Sequence, residues 1–104
     1  MNTGIVKIRG TFPECKVTVN DKVLDIKESH AVWYKSEEFA WGYLGSGPAQ
    51  LALAILMEFL RPEIALVWFQ YFKEAFLAKP KSEKDLVLDI DIGAWLDEIA
   101  ERKR

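Results

Sequence analysis

The residues best suited to chemistry form a glycine-rich turn, Gly45-Ser46-Gly47-Pro48, directly before a predicted helix. Unpaired backbone N–H groups and the positive end of a helix dipole suit such a turn to a phosphate or a carboxylate. The turn is not a P-loop, because Pro48-Ala49 replaces the Lys-Ser/Thr pair, and proline removes one N–H donor. The alternative is a tight turn that only allows a buried helix to begin. If the turn binds a ligand, we expect the contacting residues to be Trp41, Tyr43, Gly45, Ser46, Gly47 and Gln50.

A dense group of aromatic residues precedes this turn. Its members are Trp33, Tyr34, Phe39, Trp41 and Tyr43. Such a group can stack on a planar ligand or form a protein-binding hot spot, or it can cap a hydrophobic core. We expect Phe39 and Trp41 to lie in the core, while both interpretations stay open for Tyr43.

Side chains able to support catalysis or metal binding are sparse. His30 is the only histidine and Cys15 the only cysteine, so a histidine-based relay or a multi-histidine metal site lacks its components. Asp89 and Asp91 could share a divalent cation, but we expect Asp89 to face solvent and Asp91 to cap a helix. The sequence therefore predicts no catalytic residue, no metal, no cofactor and no enzymatic activity.

Length and composition favour one soluble domain over residues 1–104. The chain has 104 residues with a formal net charge of −2 and a pI of about 5.4, which makes nucleic acid an improbable partner. The longest apolar run, Leu51 to Met57, is far shorter than the ~20 residues of a membrane-spanning helix. The lack of a secretory leader and the single cysteine lead us to expect a cytoplasmic protein without membrane contact.

The elements that must position these residues begin with strands. Predicted strands cover 5–9, 16–19, 23–26 and 86–90, with a possible short strand at 31–34 inside a loop spanning 27–38. An Asn20-Asp21 turn predicts a hairpin between the second and third strands. The aromatic segment 39–43 suits either a short strand or an ordered loop.

Three helices follow from the remaining patterns. Pro48 at the first helical position and Gly47 as N-cap predict a central helix whose Gln50 reaches back to the cap. Its apolar residues leave no polar face, which is typical of a helix enclosed by its protein. Further helices are predicted from Pro62 to about Lys79 and from Asp91 onward. We therefore expect an α+β fold in which an N-terminal antiparallel hairpin or small sheet packs against the buried central helix and two further helices.

The helix predicted from Pro62 carries more large apolar side chains than one core-facing side requires. We expect Trp68, Phe69, Phe72 and Phe76 to contribute to a protein interface. Surplus apolar surface on a small domain is a common sign of an interface, and a two-fold homodimer is the commonest solution.

The segment Phe39 to Ala54, FAWGYLGSGPAQLALA, is the most distinctive stretch. It resembles the signature of a family of small uncharacterised proteins of bacteria, archaea, and their phages and plasmids. Val17-Thr18-Val19, Tyr71-Phe72-Lys73 and Ile92-Gly93-Ala94-Trp95-Leu96 resemble further parts of that pattern in the same order. Leu44 departs from it, because the family has a glycine there. The resemblance implies a microbial or mobile-element setting and carries no assigned activity.

These observations favour a non-enzymatic protein-interaction module, homodimeric and acting through protein contacts. The alternative is a small-ligand or anion-binding protein that uses the glycine-rich turn, with nucleotide-related molecules among the candidate ligands. A third and least favoured hypothesis is an enzyme that uses Ser46 or the pair Asp89 and Asp91.

Overall fold

The β-rich segments pair into one antiparallel sheet. The computed structural model describes residues 1–103, and its strands are β1 (Ile5–Thr11), β2 (Lys16–Val19), β3 (Lys22–Val23) and β4 (Leu86–Asp91). The strand order is β3-β2-β1-β4, with every neighbouring pair antiparallel. Asn20 and Asp21 have φ of 49° and 68°, the conformation of the two-residue turns that match the twist of a hairpin. The predicted hairpin and the α+β class are confirmed.

Alternation along the strands gives the sheet one buried and one solvated face. Val6 and Ile8 of β1 are fully buried, and Val6 pairs across the sheet with Ile90 of β4. On the solvated face, Nη1 of Arg9 lies 3.0 Å from Oδ1 of Asp89. Asp89 therefore faces solvent, as predicted.

The central helix, α2 (Ser46–Met57), is buried over residues 47–56. Leu51, Ala52 and Leu53 have no exposed surface, which confirms the expectation of a helix enclosed on all sides. The predicted start is wrong by two residues, because Gly45 is the N-cap and Pro48 is the third helical residue. Proline is tolerated there because the first four N–H groups of a helix have no partner within it.

Two further helices complete the helical layer. After an extended Arg61, α3 (Pro62–Phe72) begins with its proline in the predicted position and passes into a π-helical turn (Lys73–Leu77). The single helix predicted to reach Lys79 is thus shorter, and its last turn widens. The final helix, α4 (Ile92–Arg102), begins where predicted, since Oδ1 of Asp91 accepts a hydrogen bond of 2.9 Å from the amide of Ala94.

A short helix, α1 (Ile26–His30), lies where we predicted the end of a strand and a loop. Asp25 ends the extended segment, because its carboxylate accepts a hydrogen bond of 2.9 Å from the amide of Lys27 and caps the helix. The strand predicted at 31–34 is also wrong. The amides of Val32 and Trp33 both donate to the carbonyl of Ser29, which folds this segment into turns at the end of α1.

Candidate functional site

The aromatic segment 39–43 is an ordered loop, and Trp41 is anchored inside it. As expected, Phe39 and Trp41 lie in the core, with 5% and 3% of their surfaces exposed. The Trp41 indole N–H donates to the carbonyl of Lys84 at 2.8 Å. Its six-membered ring lies so close to β1 that a Cβ atom at position 10 would come within 2.7 Å of it, and glycine occupies that position. Trp41 therefore has a fixed orientation and no free N–H.

The next residue, Gly42, fixes the loop against the segment before β4. Its φ is +91°, which L side chains rarely adopt. Its amide donates to the carbonyl of Leu77 at 2.8 Å. A Cβ atom here would lie 2.4 Å from the backbone nitrogen of Ser82, so the two backbones are in direct contact.

A cleft of about 290 Å³ opens over this loop. We call it the aromatic cleft, and its lining residues are Phe12, Cys15, Ala40, Trp41, Tyr43, Ser82 and Glu83. Phe12 and Tyr43 are 41% and 49% exposed, which leaves much of both rings in contact with solvent. Of the lining residues, only Trp41 and Tyr43 belong to the predicted ligand set. Sequence patterns missed the others because three separate segments form the walls.

Cys15 lies between β1 and β2, with a φ of 56° and its amide donating to the carbonyl of Thr11. Burial raises the pKa of its thiol, and the carboxylates of Glu38 and Glu14 raise that pKa further. The thiol is therefore a weaker acid than an ordinary cysteine, which is the opposite of what a nucleophilic cysteine requires. His30 is engaged elsewhere, since its Nε2 lies 2.7 Å from the carbonyl oxygen of Ser36 and its ring stacks on Tyr34.

The glycine-rich turn lies beside Tyr43. Cβ atoms at positions 45 and 47 would come within 2.5 Å of the Tyr43 ring and 3.0 Å of its hydroxyl, respectively. Tyr43 therefore covers the turn. A Cβ atom at position 47 would also come within 2.6 Å of Cβ of Ala40, so glycine is required there. Ser46 is exposed. Among the hydrogen bonds of residues 1–103, none uses the amides of Ser46 or Gly47, but Gly47 is buried, so only Ser46 offers an unpaired amide at an exposed residue.

Gln50 does not reach back to the helix cap, and its amide group is not available to a ligand. It is fully buried. Its Oε1 accepts from the amides of Lys35 and Ser36 at 3.0 and 3.3 Å. Its Nε2 donates to Oγ of Ser29 at 2.8 Å and to the carbonyl of Trp33 at 2.9 Å. With two acceptor and two donor contacts its capacity is filled, and it holds segment 29–36 against α2.

The predicted interface residues on and after α3 divide between the core and its edge. Phe69 and Phe72 are 6% and 0% exposed, so their side chains pack inside the chain. Trp68 and Phe76 are partly buried. The rings of Phe72 and Phe76 contact Trp95 of α4 at centroid distances of 5.4 and 5.5 Å. Most of this aromatic surplus therefore joins α3 to its own protein.

The solvent face of α3 nevertheless carries exposed apolar side chains that we did not predict as interface residues. Ile64, Val67 and Tyr71 are 40%, 56% and 37% exposed. Their spacing of i, i+3 and i+7 puts them on one side of the helix, and we call them the apolar stripe. That spacing is visible in the sequence, where other aromatic residues lie between Val67 and Tyr71.

A groove of about 320 Å³ continues the apolar stripe toward α4. Its lining residues are Tyr71, Glu74, Ala75, Ile99, Arg102 and Lys103. The ammonium group of Lys103 lies 4.8 Å from the centroid of the Tyr71 ring, a cation–π distance. The ammonium group of Lys103 thus lies beside the end of the stripe, in a groove that Glu74 also lines.

Three further findings concern the helices and the comparison of the chain with known proteins. Within residues 1–103, no helix combines the length and the apolar character that crossing a bilayer requires. No curated protein and no solved structure shows significant similarity to the chain. The family of unknown function DUF6166 matches residues 9–98, from β1 into α4, and the chain therefore belongs to that family.

Proposed function

We propose that the protein is a non-enzymatic interaction module of a microbe or mobile genetic element, and that it forms a homodimer through the apolar stripe of α3. The observation that supports this proposal is the exposure of Ile64, Val67 and Tyr71 on a helix whose opposite face is already buried. Contiguous exposed apolar side chains on a small domain mark interaction surfaces.

The stripe suits a second copy of the same chain. In an antiparallel pairing of two α3 helices about a two-fold axis near Val67, Ile64 of one protomer meets the partner's Tyr71, and the two Val67 side chains meet each other. Ile64 and Tyr71 are about 10 Å apart along the helix. Both copies then bury the same three side chains.

Charges at the two ends of the stripe support the antiparallel arrangement. Glu63 lies at the start of α3, where it pairs with Arg61 at 2.8 Å. Lys103 and Arg102 lie beside the other end, in the groove next to Tyr71. The antiparallel pairing brings Glu63 of one protomer toward the partner's Lys103, whereas a parallel pairing would bring like charges together.

Light scattering coupled to size exclusion tests this proposal over a wide concentration range. We expect a mass of twice 11.9 kDa for the wild type and a monomer for Val67→Glu. Val87→Glu is the matched control, because Val87 is 63% exposed, against 56% for Val67, and lies on the solvated face of the sheet. A monomeric wild type at the highest concentration, or a Val67→Glu protein as dimeric as Val87→Glu, contradicts the proposal. Circular dichroism verifies that both variants are folded.

A second candidate function is anion binding at the glycine-rich turn, and the unpaired amides of Ser46, which is exposed, and of Gly47, which is buried, favour it. Both amides belong to the N-terminal turn of α2, where the helix dipole attracts negative charge. We expect inorganic phosphate to shift the NMR signals of both amides in the wild type and to do so more weakly in Ser46→Ala. Shifts of equal size in this variant would rule out a contribution from the serine hydroxyl.

A further inference from the structure

We propose that the aromatic cleft binds a small organic cation, a molecule carrying an alkylated ammonium or a guanidinium group. The proposal is independent of the dimer and concerns the opposite ligand charge from the one that suits the glycine-rich turn. It rests on three properties of the cleft, which are its preformed walls, its aromatic lining and the charge around it.

The walls are held in place without a ligand. The amide of Phe12 donates to Oδ1 of Asp85 at 2.9 Å, which ties the β1–β2 connection to the segment before β4. Trp41 is fixed by its hydrogen bond to Lys84 and by its packing on Gly10. Gly42 contacts the Ser82 backbone directly. A preformed site loses little conformational freedom when it binds, and this favours affinity for small ligands.

The exposed aromatic surface of the cleft comes mainly from Phe12 and Tyr43, because Trp41 is only 3% exposed and forms the buried base of this lining. The indole N–H of Trp41 is used by Lys84. The Phe12 ring has no polar atom, and Phe12 and Tyr43 are 41% and 49% exposed to solvent. Within residues 1–103, the rings of Phe12, Trp41 and Tyr43 stack on no other aromatic ring. Aromatic surface of this kind attracts cations through the quadrupole of each ring.

The charged group that lines the cleft is negative. Glu83 is the only charged side chain among the lining residues. In the described part of the chain its carboxylate forms no ion pair. On the far side of Cys15 a second depression is lined by Glu14, Glu37 and Glu38 against one lysine, Lys16. The raised thiol pKa of Cys15, caused by burial and then by Glu38 and Glu14, is consistent with this negative field.

These properties select the ligand class. An anion in the cleft would be repelled by the Glu83 carboxylate, and no cation among the lining residues would offset that repulsion. A neutral apolar molecule would contact the rings but would leave the charge of Glu83 without a partner. A compact cation satisfies both, because its alkyl groups contact the rings while its charge faces Glu83. The volume of about 290 Å³ lies near the lower end of the roughly 300–1,000 Å³ typical of ligand pockets, so the ligand is small.

Choline and its neutral carbon isostere, 3,3-dimethylbutan-1-ol, provide a matched pair of probes for an NMR titration of the full chain. We expect choline to give saturable shifts at the amides of Gly42, Tyr43 and Glu83, and the isostere to bind at least about fivefold more weakly. Methylguanidinium serves as the second cationic probe and distinguishes a planar cation from a quaternary one. Equal binding of the isostere, absence of saturable shifts, or shifts confined to the groove beside Tyr71 would overturn the proposal.

Variants assign the binding to this cleft. We expect Glu83→Gln and Tyr43→Leu each to weaken choline binding by at least about threefold. The matched controls are Glu74→Gln, a carboxylate beside the aromatic Tyr71 in the other groove, and Tyr34→Leu, an exposed tyrosine elsewhere. Because Glu83 and Glu74 are exposed, these two variants retain the fold, and a dispersed amide spectrum verifies it. Affinity in Glu83→Gln equal to that in Glu74→Gln would also overturn the proposal.

Discussion

Replacing Gln50 with methionine tests the role of the polar contacts inside the helical layer. Methionine has nearly the same length and volume, so the change removes hydrogen bonds without opening a cavity. In the wild type the Gln50 amide joins α2 to four groups of segment 29–36. Those groups lose their partner in Gln50→Met while their surroundings stay the same.

The expected loss follows from where the four groups lie. Oγ of Ser29 and the carbonyl of Trp33 sit beside the fully buried Gln50, and Ser29 itself is fully buried. In Gln50→Met the carbonyl of Trp33 loses its donor, and a buried group left without its partner costs about 1–3 kcal/mol. Oγ of Ser29 loses one contact and keeps its bond of 2.7 Å to the carbonyl of Ile26. Lys35 is exposed and Ser36 half-buried, so water recovers part of the bonds to their amides. We therefore expect the free energy of unfolding to fall by about 3 kcal/mol, a large share of the roughly 5–15 kcal/mol of a typical domain.

Urea unfolding followed by tryptophan fluorescence and circular dichroism measures this loss. Gln70→Met is the matched control, because Gln70 is exposed on α3 and its replacement should change the free energy of unfolding by less than about 0.5 kcal/mol. Hydrogen exchange at the amides of Lys35 and Ser36 should accelerate in Gln50→Met and not in Gln70→Met. If both variants unfold at the same urea concentration, Gln50 does not fasten segment 29–36 to α2.

Three further predictions concern backbone conformation, thiol chemistry and capping. Gly42→Ala should destabilise the protein by at least about 2 kcal/mol more than Gly4→Ala. Both glycines have positive φ, but only position 42 lacks space for a Cβ atom. Thermal unfolding measures the difference, and equal melting temperatures of the two variants would contradict this prediction. Near pH 8, Cys15 of the folded protein should react with iodoacetamide more slowly than Cys15 of the urea-unfolded chain, because its raised pKa leaves less thiolate. Glu38→Gln should accelerate the reaction of the folded protein. An unchanged rate would exclude Glu38 as a cause of the raised pKa. Asp91→Ala should lower the free energy of unfolding by about 1 kcal/mol, because α4 loses its cap. Urea unfolding measures this loss, and Asp91→Asn is the control variant that retains a capping oxygen. Equal losses of stability in the two variants would refute this explanation.

Elements that depend on neighbouring residues were predictable from the sequence. The uninterrupted apolar run of α2, the capping Asp91 and the Asn20-Asp21 turn each act over a few residues, and the structure contains each where expected. The same local logic failed at α1, because Val23 to Ile26 has the composition of a strand while the Asp25 carboxylate caps a helix.

The candidate sites depend on contacts between distant segments, and these left little local signal. Gln50 looked like a capping residue, yet its partners lie 14 to 21 residues upstream. Phe12 and Glu83 lie about 70 residues apart in the sequence. The packing of Trp41 and the hydrogen bond from Phe12 to Asp85 bring their two segments together. The sequence predicts Phe69 and Phe72 in a protein interface, but both are buried inside the chain. Aromatic content alone does not reveal which side of a helix packs against its own protein.

The position of β1 in the sheet has a consequence for the order of folding. β1 and β2 are neighbours in the chain and can pair as soon as they are synthesised, whereas β4 must reach the other edge of β1 across roughly 80 residues. Closing so long a loop is slow unless the intervening helices have already collapsed. Until then β1 keeps one edge unpaired and Val6 and Ile8 uncovered, and such edges recruit other chains. We therefore expect refolding yield to fall with protein concentration far more steeply than native stability would suggest.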